Sequence, residues 1–236
     1  MTETTKIAWN RIAIEAMAIV GSILVAFAID AWWAERLERI DESAQLQRLR
    51  AEFVTNIERI DIRTFEEAIL EACVEIFELI EESQRKGQEE IDISATTMGL
   101  MLTAPTFDAD TPILNGLVRS GRLEIIENEE VLALISEWDR TFYDYTTFAE
   151  RARRSVDERL VPALVVRGDI GSILMTWPVR FNLVKADHLG SVAVRVDNEL
   201  KGLVAERWRN GRSAIDRLAA AREVAGELVA KIESVW

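Results

Sequence analysis

A single apolar run near the amino terminus constrains the fold of this chain more than any other feature. Residues 12–33 contain only two charged side chains, Glu15 and Asp30, and each lies within about a turn of an end of the run. A helix of about 22 residues rises roughly 33 Å, which matches the ~30 Å hydrocarbon core of a bilayer. Aromatic side chains of the kind that anchor helices where lipid meets water bracket the run: Trp9, Trp32 and Trp33. The run therefore predicts one transmembrane helix.

Three other interpretations of the run compete with a membrane span. A secretory signal peptide has a shorter apolar core and a small-residue cleavage site. The segment Ala26-Phe27-Ala28 imitates such a site, although the helical pattern continues through it. The simplest alternative is that the run is the buried core helix of a soluble protein. The length of the run and its bracketing tryptophans argue against this. A helix that lies in the membrane plane requires a strongly charged face, which this run lacks.

Small residues and the two acids share one face of the predicted helix. At about 100° per residue, an arc of about 120° holds five side chains: Glu15, Ala18, Ser22, Ala26 and Asp30. Small residues four positions apart allow two helix backbones to approach closely in lipid, and a carboxylate at membrane depth is costly unless it meets a partner or water. We therefore expect this face to mediate self-association. The alternative is that both acids lie at headgroup level and that Ser22 bonds to its own backbone.

Composition disfavours several classes of function. The 236 residues carry a formal net charge of −13, which argues against nucleic acid because phosphates require a basic surface. The same charge disfavours broad docking on anionic lipid. Cys73 and His188 are the only cysteine and histidine, so neither an intrachain disulfide nor a Cys/His metal site of ordinary spacing is expected. No phosphate loop or nucleophile motif is present, and we expect neither enzymatic activity nor a cofactor.

The residues beyond the run predict an all-α protein. No glycine or proline occurs between residues 22 and 86, and apolar residues recur there at helical spacing. The transmembrane helix is therefore expected to continue as a stalk helix that bends near Asp61, where the register of apolar residues slips. Gly87 follows two cations and predicts the end of this helix. The predicted organisation is a polar leader, a span, a stalk helix and a helical domain packed on the stalk: residues 1–11, 12–33, 34–87 and 88–236.

Local signals predict the elements of the helical domain. A short helix is expected over residues 94–103, and Asp110-Thr111-Pro112 opens another that Ser120-Gly121 ends. Asn128 caps a further helix, which is expected to end near Leu160 because Pro162 follows. Residues 162–190 predict an irregular connection with a helical turn, and residues 191–236 a last long helix. No segment is a clear candidate for a β-sheet.

Several residues that could bind a ligand or take part in catalysis are better explained by a structural role. The aromatic series at three- to four-residue spacing predicts a buried helix face rather than a ligand cage: Trp138, Phe142, Tyr145 and Phe148. Asp108 and Asp110 lack the oxygen-rich loop of a calcium site and are predicted to be solvated or to cap a helix. His188 follows Asp187, but no nucleophile accompanies the pair.

Two segments resemble a family of uncharacterised bacterial single-pass membrane proteins, which is known only as a domain of unknown function. In the first segment Glu15 opens the apolar run, which leads to Trp32, and an L-x-x-L-x-x-E-F-x-x-N stretch follows from Leu46 to Asn56. The second is S-G-x-L-x-x-I-x-N from Ser120 to Asn128. The chain departs from this family at Asp30 and Trp33, where related chains more often carry Asn or Gln near one Trp. The resemblance implies a membrane anchor with the domain outside the cytoplasm, and it implies no activity.

Two functional hypotheses follow from the sequence. The first is a structural or interaction module that self-associates and presents its helical domain to an unidentified protein partner. The second is a homo-oligomeric cation pore or membrane sensor, in which Glu15 and Asp30 form two acidic rings about 22 Å apart. Basic residues flank the run almost equally, with Lys6 and Arg11 before it. We expect the leader to be cytoplasmic, the anchor to lie in a bacterial inner membrane and the domain to be periplasmic.

Overall fold

A computed structural model describes residues 9–62, 65–104, 106–176 and 190–235. Within these ranges the side chains of residues 9–14, 16, 65 and 176 are not part of the description. The fold is all-α, as predicted, with one small sheet added. Two compact units make up the chain: Met1–Leu49 with Ile113–Glu127, and Arg50–Pro112 with Asn128–Trp236.

Two helices occupy the amino-terminal third of the chain. Helix α1 spans Trp9–Asp61, and helix α2 spans Phe65–Lys86. The predicted stalk over residues 34–87 is helical in both of these stretches, and α1 ends at Asp61, where the apolar register slips. The bend predicted near Asp61 adjoins residues 63 and 64, which lie outside the described residues. Helix α2 ends as its sequence predicts, because Gly87 adopts φ +68 and the N–H of Gln88 donates to the Ser83 carbonyl at 3.0 Å.

The first unit adds one short helix and a turn to the amino-terminal part of α1. Helix α4 spans Pro112–Arg119, and Gly121 at φ +68 ends it and leads into a 3₁₀ turn over Arg122–Ile125. The Arg122 guanidinium pairs with Asp41, and the Glu127 N–H donates to Glu42 Oε1 at 2.8 Å. The buried apolar side chains of this unit are Leu46, Leu49, Leu114, Leu117 and Ile126.

The second unit is built around the last helix, α8, which spans Asn198–Ser234. It packs along α2 and along helix α5, Glu129–Ser155. The short helix α3, Ala95–Leu102, lies against α2. Ile, Met, Leu and Val side chains form the main core of this unit, which includes Ile76 and Ile80 of α2, Met98 and Met101 of α3, Val204 of α8, and also Ile93 and Leu160.

The second unit also contains a two-stranded antiparallel sheet, which the sequence analysis did not predict. Strand β1 is Glu90–Ser94 and strand β2 is Ser191–Arg195, with Ile91 opposite Val194. Isoleucine alternates with polar residues in β1, so that Ile91 and Ile93 are buried while their neighbours face solvent. The prediction of a last helix from residue 191 is therefore wrong at its start. Asp197 caps α8 instead, and its carboxylate accepts the Leu200 N–H at 2.7 Å.

The capped helix α5 runs further than its sequence predicts. Asn128 is its cap, as predicted, and Oδ1 of Asn128 accepts the N–H groups of Glu130 and Val131 at 3.0 and 3.1 Å. The helix then widens into a π turn over Val156–Leu160 and continues as α6, Val161–Val165. Pro162 is tolerated because the π turn changes the hydrogen-bond register just before a residue that has no N–H to donate. Helix α7, Gly171–Thr176, supplies the helical turn predicted within residues 162–190.

Candidate interaction face of the first helix

The apolar part of α1 is exposed at every described position. All side chains described between residues 15 and 40 are exposed, and none of the most apolar stretch is buried. By length and composition it is the one helix among the described residues that is suited to cross a membrane. A core helix of a soluble protein would be mostly buried, so this exposure favours the membrane interpretation.

The predicted packing face is present as an uninterrupted exposed surface. Its five members are exposed: Glu15, Ala18, Ser22, Ala26 and Asp30. The Ser22 hydroxyl donates to the Ile19 carbonyl at 2.8 Å, which is the backbone bond considered in the sequence analysis. Because this bond satisfies the hydroxyl within its own helix, the Ser22 position offers a small surface without an unsatisfied donor. Back-bonding and close helix packing are therefore compatible.

The same face continues past the predicted end of the membrane span. Trp33, Leu37 and Ile40 are 54%, 51% and 58% exposed. At about 100° per residue they fall inside the arc that holds Ser22 and Ala26. The sequence analysis missed this extension because it ended the face at Asp30, within the predicted span. The signal was available, since these three apolar residues recur at four- and three-residue spacing between charged ones.

Aromatic and basic side chains meet at the predicted edge of the membrane. The rings of Trp32 and Trp33 have centroids 6.2 Å apart, and the Arg36 guanidinium carbon lies 5.9 Å from the Trp32 ring centroid. Arg39 pairs with Glu35 on the same exposed surface. Tryptophan beside arginine is the combination expected where a helix leaves lipid. The Trp9 side chain, predicted to be the opposite anchor, lies outside the described residues.

A buried arginine dominates the polar interior of the second unit. Arg207 is 1% exposed, and its Nε donates to the Met101 carbonyl at 3.0 Å. Its Nη2 donates to the Thr103 carbonyl, so the guanidinium closes the carboxyl end of α3, where helix carbonyls attract a cation. Burial lowers the pKa of Arg207 from its ordinary value. The contacts of this guanidinium assign it a structural role.

Other residues that could take part in catalysis or metal binding are also buried or held by structural contacts. Cys73 is fully buried, and burial raises the pKa of its thiol, which disfavours the reactive thiolate. The Asn56 side chain binds both the N–H and the carbonyl of Asp110, at 2.9 and 2.7 Å. Among the described residues no group of three or more His, Cys, Asp or Glu side chains is placed to hold a metal ion. His188 and Asp187 lie outside them.

The aromatic series of α5 forms a packed face. Trp138 stacks on Phe142 with centroids 5.2 Å apart, and Phe53 meets the Trp138 ring edge-on at 5.0 Å. Trp138 and Tyr145 are 2% and 1% exposed, while Phe142 and Phe148 are partly buried against the neighbouring core cluster. The predicted core role of this series is therefore confirmed.

Comparison with known proteins identifies no relative of this chain. No family model, no curated protein and no solved structure matches it.

Proposed function

We propose that this protein is a membrane-anchored helical module that self-associates through the exposed face of α1. One observation carries the proposal: the small residues Ala18, Ser22 and Ala26 share one arc of an exposed helix with Trp33, Leu37 and Ile40. In lipid, small residues stabilise a dimer because they let two backbones approach closely. Beyond the span, Leu37 and Ile40 gain from contact with a second copy because that contact removes apolar surface from water.

The proposed location is a bacterial inner membrane crossed once. The apolar length of α1 supports a span, and the bracketing tryptophans support its limits. A periplasmic helical domain is proposed from the resemblance and from Lys6 and Arg11 in the leader. A reporter-enzyme fusion at Trp236 tests this orientation: a periplasmic reporter should be active, and activity of a cytoplasmic reporter alone would reverse it.

A substitution on the packing face tests self-association. Ser22→Leu places a large side chain at the proposed helix crossing, where overpacking costs about 1–3 kcal/mol and weakens assembly by roughly tenfold or more. The measurement is subunit number in mild detergent by light scattering. The matched control is Leu24→Ala, because Leu24 is 63% exposed on the opposite side of α1. If Ser22→Leu assembles like the parent, this face is not the interface.

A cation pore or membrane sensor is the second candidate function. The observation that favours it is that Asp30 is exposed on the same arc as Ser22, so an assembly of several copies would gather the Asp30 carboxylates in a ring about 22 Å along the helix axis from the Glu15 ring. Such rings would favour cations. Asp30→Asn should then reduce cation flux into liposomes while subunit number stays the same. A parent protein that shows no flux at all would eliminate this candidate.

A further inference from the structure

The second unit carries a groove between α2 and α8. Its two adjoining parts enclose about 320 and 470 Å³, and they share Val74, Glu78 and Trp208. From Glu67 to Glu81 the α2 wall is about 21 Å long, which is the length of a helix of three to four turns. A groove between two packed helices, open along one side, has the shape that receives a third helix.

The floor of the groove is apolar and partly open to solvent. Val74 is 43% exposed and Trp208 is 40% exposed, and Phe77 lies half-buried beside them. Val204 and Cys73 close the floor from below. Tryptophan is the side chain most often found at the energetic centre of protein interfaces, because it offers a large rigid surface. An exposed tryptophan in a concave apolar floor is therefore a candidate anchor for a bound partner.

The rim of the groove is acidic. Five glutamates line its two parts: Glu67, Glu71, Glu75, Glu78 and Glu81. Lys201 binds Glu81 at 2.8 Å, and the lining cation Arg212 is already paired with Asp216 at 3.0 Å. Among the described residues no ion pair engages Glu67, Glu71 or Glu78. Like charges four residues apart destabilise a helix, so Glu67, Glu71 and Glu75 repel one another along α2. Glu67 is favoured by its place in the first turn and Glu75 accepts the Thr97 hydroxyl, whereas Glu71 lies in mid-helix.

We propose that this groove binds a cationic amphipathic helix of a partner protein. The apolar stripe of that helix would pack on Val74 and Trp208, and its Lys or Arg side chains would pair with the glutamates of the rim. Charge complementarity selects this occupant, since an acidic rim repels nucleic acid, anionic lipid and acidic protein surfaces. The proposal rests on the interaction role proposed above, and it names the chemistry of the partner.

A designed peptide probes the groove directly. The probe is a labelled 14-residue peptide with leucine on one helical face and lysine on the others, titrated against the full chain in an uncharged detergent. Fluorescence anisotropy, corrected with empty micelles, reports binding. We expect saturable binding that weakens as salt rises. A peptide of the same composition with scrambled order should bind at least about tenfold more weakly, because its leucines no longer share one face.

Variants locate the binding site. Glu71→Lys combined with Glu78→Lys should weaken binding of the ordered peptide at least about tenfold, and Trp208→Ala should do the same. The matched control combines Glu223→Lys with Glu227→Lys, which makes the same charge change on an exposed face of α8 away from the groove. This control should leave binding within about twofold. Circular dichroism verifies that each variant retains its helix content.

Three results would overturn the proposal. They are the absence of saturable binding, equal binding of the ordered and scrambled peptides, and equal weakening by the groove and control pairs. Ser22→Leu separates this proposal from the function on which it rests, because Ser22 lies in α1 and outside the groove. Peptide binding that survives while self-association is lost leaves the groove supported. If the protein self-associates but does not bind the peptide, the groove proposal is overturned and the proposed self-association is retained.

Discussion

A Cβ atom at Gly211 would lie 2.6 Å from Nη1 of Arg207, one helical turn earlier in α8. It would also lie 3.3 Å from Cδ2 of Leu70. The guanidinium is the end of a flexible side chain, but Nε and Nη2 are held by carbonyls at the end of α3. Glycine at this position therefore creates the space in which a buried arginine joins two helices.

Gly211→Ala should destabilise the second unit, although alanine is usually the better helix residue. Alanine in a helix gains about 0.5–1 kcal/mol over glycine, but displacing a buried hydrogen-bonded guanidinium costs about 1–3 kcal/mol. We expect a net loss of about 1–2 kcal/mol in the free energy of denaturant unfolding. The control is Gly202→Ala in the same helix, where nothing lies within 4 Å of the added Cβ. That variant should be more stable than the parent, and equal behaviour of the two would contradict the assigned role of Gly211.

The features predicted correctly are those whose cause lies within a few residues. Asn128 caps α5 because its side chain reaches N–H groups two and three positions ahead. Gly87 and Gly121 end helices because glycine adopts positive φ without strain. The exposed extension through Leu37 and Ile40 was also predictable, because it requires only that the helical arc be followed past Trp33.

The features that were missed depend on residues far apart in the chain. Strand β1 pairs with β2 about a hundred positions later, and neither five-residue strand has a hairpin turn to mark it. Gly202 and Gly211 look alike as interior glycines of one helix, and only the Arg207 side chain makes them different. The groove arises for the same reason, because α2 contributes its acids and α8 its tryptophan.

The cap of α8 predicts a pH dependence of stability. The Leu200 N–H bonded to Asp197, together with the Arg167 guanidinium, lowers the pKa of that carboxyl below its ordinary value. Its stabilising contribution is therefore present above about pH 4 and is lost as pH falls through the lower pKa of the folded state. Asp197→Asn keeps a capping oxygen but does not ionise. At pH 5 the parent should have a higher free energy of unfolding than this variant, by under about 1 kcal/mol because Asp197 is half-exposed. This difference should shrink as the pH falls from 5 to 2. Parallel melting temperatures across this range would contradict the prediction.

Cys73 should react slowly with thiol reagents while the protein is folded. Its side chain is fully buried, and burial raises the pKa of the thiol, so both access and thiolate population are reduced. Maleimide labelling of the native protein in detergent should be at least about tenfold slower than labelling after unfolding in guanidinium. Equal rates would mean that α2 and α8 separate readily. Slow labelling would also make Cys73 a poor reporter of membrane orientation.

A charge at Ile40 tests whether the association face extends past the membrane. Ile40 is 58% exposed on the same arc as Ser22, so a second copy packed along this face would bury it. Ile40→Lys should weaken assembly about tenfold in mild detergent, because two lysines would then meet within an apolar contact. Ile62→Lys is the control: Ile62 is 77% exposed after the end of α1, and its substitution should leave subunit number unchanged. If Ile40→Lys assembles like the parent while Ser22→Leu does not, the contact stops at the tryptophans and the association face is confined to the span.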